Sequence, residues 1–69
     1  MKKTILISGM TCGHCVKRVE NALLGVKGVV AAVVNLEEKN AVVESNADVN
    51  ENLLKEAIDD AGYEVESIL

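Results

Sequence analysis

The stretch Ile5-Leu6-Ile7-Ser8-Gly9-Met10-Thr11-Cys12-Gly13-His14-Cys15-Val16-Lys17-Arg18-Val19 changes its period halfway along. Lys3 to Ser8 reads as a strand, with Ile5 and Ile7 on one face and Thr4 and Leu6 on the other. From about Cys15 the apolar positions fall at helical spacing instead: Val16, Val19, Ala22, Leu23 and Val26, with Lys17, Arg18, Glu20 and Asn21 opposite. The residues from Gly9 to His14 form a loop joining the two. Gly25 and Gly28 end the helix. Valine-rich Val29 to Leu36 predicts a second strand, with Ala32, Val34 and Leu36 facing inward, and Glu37-Glu38-Lys39-Asn40 a hairpin turn. Ala41 to Ser45 returns as a third strand, and Ser45-Asn46-Ala47-Asp48 is loop-like. Val49, Leu53, Leu54, Ala57, Ile58 and Ala61 predict a second amphipathic helix, capped by Asp48 or Asn50 and ended by a left-handed Gly62. Tyr63 to Ile68 supplies the last strand.

Strand, helix, strand, strand, helix, strand is the βαββαβ order of an α+β, ferredoxin-like sandwich: a four-stranded antiparallel sheet with two helices on one face. Right-handed crossovers place the third strand between the first and second and the fourth outside the first. That arrangement brings the Gly9–His14 loop and the Gly62–Tyr63 turn to one end of the sheet, where the chemistry should sit.

Composition narrows the function classes. With 69 residues, 49% hydrophobic and 26% charged, the chain suits one thin-cored domain over 1–69. Two cysteines exclude a disulfide-dense scaffold, and no apolar run approaches the roughly 20 residues of a membrane span. The net charge of −4 opposes a nucleic-acid backbone or an anionic membrane as partner, and Tyr63, the sole aromatic, leaves almost nothing to stack on bases. Met1-Lys2-Lys3 leads only into the short Ile5-Leu6-Ile7 stretch, well below the roughly 7–15 apolar residues of a secretory signal. A cytoplasmic location is therefore expected, in which a cysteine pair serves metal binding or catalysis rather than a structural disulfide.

Cys12 and Cys15 straddle a loop and the first turn of a helix, so both sulfurs can converge on one ion. Unpaired backbone N–H groups and the positive end of the helix dipole favour thiolates there. Lys17 and Arg18 follow at once and would offset part of the charge of a dithiolate, although their other reading is a solvated helix face. Structural zinc asks for four ligands and only Cys12, Cys15 and His14 are in reach. Two soft ligands without a hard oxygen suit a soft, low-coordinate ion, with Cu(I) the leading case. Cys-Gly-His-Cys also matches the active-site tetrapeptide of dithiol–disulfide oxidoreductases. Against that, the thioredoxin-type scaffold is longer and opposes a proline to its dithiol, and this chain has no proline.

Gly9-Met10-Thr11-Cys12-Gly13-His14-Cys15 resembles the Gly-Met-x-Cys-x-x-Cys signature of heavy-metal-associated domains, and Val26-Lys27-Gly28-Val29 and Asp60-Ala61-Gly62-Tyr63 extend the resemblance over nearly the whole chain. That family includes stand-alone bacterial copper chaperones, metal-binding domains of metal-exporting P-type ATPases, and mercury-binding proteins; this chain looks most like the first. The resemblance implies Cys12 and Cys15 as the two metal ligands and Cu(I) as the ion, Thr11 offering no acidic oxygen of the kind found in zinc- and cadmium-preferring relatives. It implies Met10 as a packing residue rather than a thioether ligand. His14 becomes an exposed loop side chain, with ligation in a metal-bridged dimer as its alternative. Tyr63 falls beside the metal loop, as a hydroxyl donor toward a thiolate or as a core aromatic with its tip in water. The partners implied are a metal-binding domain of a copper-transporting P-type ATPase or a copper-responsive repressor. The chain is expected to be a carrier rather than an enzyme and a monomer without metal, the homodimer being bridged by the ion. Mercury or zinc binding is the competing cargo.

Overall fold

The computed structural model describes residues 1–11, 13–46 and 48–69; Cys12 and Ala47 lie outside the described residues. Among the described residues the chain forms strand β1 (Lys2–Ser8), helix α1 (Gly13–Leu24), strands β2 (Val29–Asn35) and β3 (Asn40–Ser45), helix α2 (Glu51–Asp60) and strand β4 (Glu64–Ile68). The strand order is β2-β3-β1-β4, every pairing antiparallel, which is the order that right-handed crossovers require. The ferredoxin-like expectation is met in element order and in topology.

Alternation along the strands decides what is buried. Ile5 and Ile7 on β1 and Ala41 and Val43 on β3 lie under the helices at 2% exposure or less. Ala32, Val34 and Leu36 pack against the same core, as their spacing predicts. The helices contribute Val19 and Leu23 from α1 and Leu54 and Ile58 from α2, all fully buried. Each of these larger side chains contributes roughly 1.5–3 kcal/mol by leaving water. Among the described residues both helices pack on that one face, and Val33, on the opposite face, is exposed.

Two local features depart from the sequence reading. Helix α1 begins at Gly13 rather than near Cys15, so His14 belongs to its first turn and not to the loop. Leu53, at an apolar position of α2, is 45% exposed. Leu54 and Ile58 already fill the space above the sheet. Leu53 is left on the rim of the groove between the helices, beside Val26 and Lys27, where α1 has ended and offers no further turn to cover it.

Helix α2 has well-formed ends. The Asn50 side chain accepts a hydrogen bond from the Asn52 N–H at 2.8 Å and caps its start, the second of the two caps considered from sequence. At its end Gly62 takes φ +96°, with Gly62 N–H bonded to Asp59 O (3.0 Å) and Tyr63 N–H to Ile58 O (3.1 Å). This Schellman arrangement satisfies the last carbonyls and turns Tyr63 back into the core beneath the β1–α1 loop.

Candidate metal centre

The site is built where β1 hands over to α1. Gly9 adopts φ +93°, a conformation open to glycine because it lacks a Cβ. A Cβ placed there would lie 3.6 Å from Cδ1 of Tyr63, so the loop passes directly over that ring. Met10 then drops into the core at 5% exposure and anchors the loop by its side chain, the packing role expected of it. Thr11 returns to the surface, its Oγ1 4.0 Å from Sγ of Cys15. Cys12, the other candidate ligand, lies outside the described residues.

Cys15 stands in the first turn of α1 at 9% exposure, at the outer boundary of a core whose deeper α1 members, Val19 and Leu23, are fully buried. The first turn of α1 contains no acidic side chain. Tyr63 is equally buried and lies beside Cys15. Its phenol is held above the ordinary value of 10.0, first by hydrogen bonding to the Cys15 sulfur, then by burial and by the charge that sulfur carries as a thiolate. Arg18, in the next turn of α1, acts in the opposite sense, by hydrogen bonding and by its positive charge.

The structure thus brings together Cys15, Tyr63 and Arg18, with Met10 as the anchor below. His14 and Lys17 are exposed on the first two turns of α1. Among the described residues no three His, Cys, Asp or Glu side chains gather into a cluster that could hold a metal ion, and no helix is long and apolar enough to cross a membrane. Two neighbours gain a structural part beyond what the sequence implied for them: Thr11, whose hydroxyl stands beside the sulfur four residues on, and Gly9, which passes against Tyr63 more than fifty residues away along the chain.

Comparison with known proteins agrees with this geometry. Residues 4–64 match the heavy-metal-associated domain. The chain is 45% identical over 65 residues to the copper chaperone CopZ of Staphylococcus epidermidis, covering 93% of this chain and 96% of the relative. It is 48% identical over 63 residues to a copper-exporting P-type ATPase of Vibrio cholerae, covering 91% of this chain but 7% of the transporter. Among solved structures, a CopZ metallochaperone superposes with a TM-score of 0.88 at 39% identity, covering 94% of this chain and 98% of that one. Sequence, fold and similarity across nearly the full length agree, and the chain belongs to the heavy-metal-associated domain family.

Proposed function

We propose that this chain is a copper chaperone that takes up Cu(I) as cargo between the Cys12 and Cys15 thiolates and passes it to a partner by ligand exchange. The observation that carries the reading is the position of Cys15: a sulfur at the positive end of α1, at the edge of the core, with a hydroxyl beside it and no carboxylate in the same turn. Near-full-length similarity to copper chaperones supports the same assignment. A helix start favours negative charge by about 0.3–1 kcal/mol, and two soft sulfurs favour a soft monovalent ion over zinc.

Hand-over requires no redox step. An incoming thiolate adds to the bound copper, giving a three-coordinate centre, and one chaperone sulfur leaves as the second incoming sulfur arrives. Cys12 exchanges first, and Cys15, held in the helix, releases last. Tyr63 and the Met10 anchor keep the Cys15 side of the site in place during the exchange. The recipient proposed is the same-fold domain of a copper-exporting P-type ATPase, because this chain and a segment of such a transporter are alike over 63 residues. A copper-responsive repressor would draw on the same exchange.

An anaerobic Cu(I) titration under reducing conditions, against a competing chelator, tests the assignment. One-to-one binding lost in Cys12→Ser and in Cys15→Ser is expected, without disulfide-exchange activity on a reduced or scrambled substrate protein. Full retention of Cu(I) by the double variant would overturn the proposal.

A further inference from the structure

The two edges of the sheet differ in charge. Edge strand β4 carries Glu64 and Glu66, a common way of keeping an edge from pairing with another chain. Edge strand β2 carries none: from Gly28 to Leu36 there is no charged residue, and Val30 and Val33 are 56% and 67% exposed. Val30 is the extra residue where the register against β3 shifts, which leaves Ala31–Asn35 as a regular paired segment with a free outer edge.

We propose that β2 pairs antiparallel with β2 of a second copy of this chain, joining two four-stranded sheets into one of eight. The register follows from the pleat. Directly opposed side chains in an antiparallel pair share a face, so the two-fold axis must pass through a residue and not between two. The centre of Ala31–Asn35 is Val33, which then meets its own symmetry mate on the uncovered face, about 4.5–5.5 Å apart between Cα atoms.

Charge selects both the occupant and the direction. Antiparallel pairing brings the start of β2 in one copy to the end of β2 in the other. Lys27, two residues before β2, approaches the second copy's Glu37-Glu38-Lys39 hairpin, which is net negative, and symmetry repeats the match at the other end. Parallel pairing would set Lys27 against Lys27 and hairpin against hairpin. A β4–β4 contact would oppose Glu64 and Glu66 to themselves, in a chain already carrying −4. The hairpin after β2 lies at the metal end of the sheet, since Lys39 O accepts from Ile7 N–H at 2.9 Å. The two metal loops therefore point to opposite ends of the eight-stranded sheet and stay open. A single strand pair falls below the roughly 1,200 Å² of a standard interface, so the dimer is weak and the monomer expected from sequence is its dilute form.

Sedimentation equilibrium of the metal-free full chain, from micromolar to millimolar, should show a monomer–dimer equilibrium that persists in Cys12→Ser/Cys15→Ser. In that background Val33→Cys should cross-link into a covalent dimer on mild oxidation much faster than Leu53→Cys, an exposed control on the helical face. Val33→Lys, on the open face where it does not disturb the core, should weaken the dimer by about fivefold with unfolding behaviour unchanged. A chain that stays monomeric at millimolar concentration would overturn the proposal. So would cross-linking equal at the two positions, or association that needs Cu(I) and vanishes in the cysteine variants.

Discussion

The molecule contains two strand-to-helix crossings of the same kind, β1 into α1 and β3 into α2, and they use the positive end of a helix for different purposes. At α2 the end serves folding: Asn50 caps it, Glu51 supplies a negative charge in the first turn, and Glu51 is further tied to Lys3 at 3.3 Å. That ion pair is largely exposed and adds little. At α1 the first turn holds Gly13, His14 and Cys15, with no acidic residue. The same electrostatic end is there left to a sulfur. Below their first turns the helices are alike, each burying two large apolar side chains against the sheet. A scaffold can thus give one helix start to stability and keep the other for chemistry, as long as the buried faces hold both.

The sharpest way to break this contrast is to exchange the sulfur. Cys15→Ser should lower Cu(I) affinity by about a thousandfold or more, some 4 kcal/mol, in a chelator competition, whereas Asn50→Ala should leave it unchanged. Equivalence of the buried faces is tested next: Leu23→Ala and Leu54→Ala should each cost about 2–5 kcal/mol in denaturant unfolding, a large share of the roughly 3–10 kcal/mol a chain this size commands. Asn50→Ala should cost about 1 kcal/mol by the same measurement. Giving α1 the charge that α2 has, by His14→Glu, should add about 0.3–1 kcal/mol of stability while weakening Cu(I) binding several-fold. An affinity that rises would contradict the idea that this helix start is kept free for thiolates.

The smallest effect is the most local. Tyr63 is the only aromatic residue, so tyrosinate absorbance reports on it alone. Its midpoint should lie above 10.0 in the native chain and fall toward the ordinary value in Cys15→Ala, which removes the sulfur chiefly responsible; Arg18→Ala should move it further up. Because the folded-state value is the higher one, Tyr63 adds its stability fully below pH 10.0 and loses it as pH rises through the folded midpoint.

Much of this was readable along the chain. The period change between Ile7 and Val16, the glycines at the turns and the spacing of Cys12 and Cys15 are local patterns, and the βαββαβ order with one handedness of crossover then leaves a single strand order. Less was readable where distant elements meet. Leu53 has the spacing of a core residue, and only the early end of α1 leaves it uncovered. The α1 start at Gly13 ran against glycine's poor helix propensity.

By itself the sequence determined the elements, their order and the placement of the Cys15 thiol at a helix start, because periodicity, turn chemistry and helix polarity act over a few residues. Tertiary structure alone decided that the Tyr63 ring would lie beside Cys15 under the Gly9 turn, that Thr11 Oγ1 would come within 4.0 Å of the Cys15 sulfur, and that Leu53 would stay exposed. Those outcomes depend on which surfaces the sheet and helices present to one another, and no short stretch of chain carries that information.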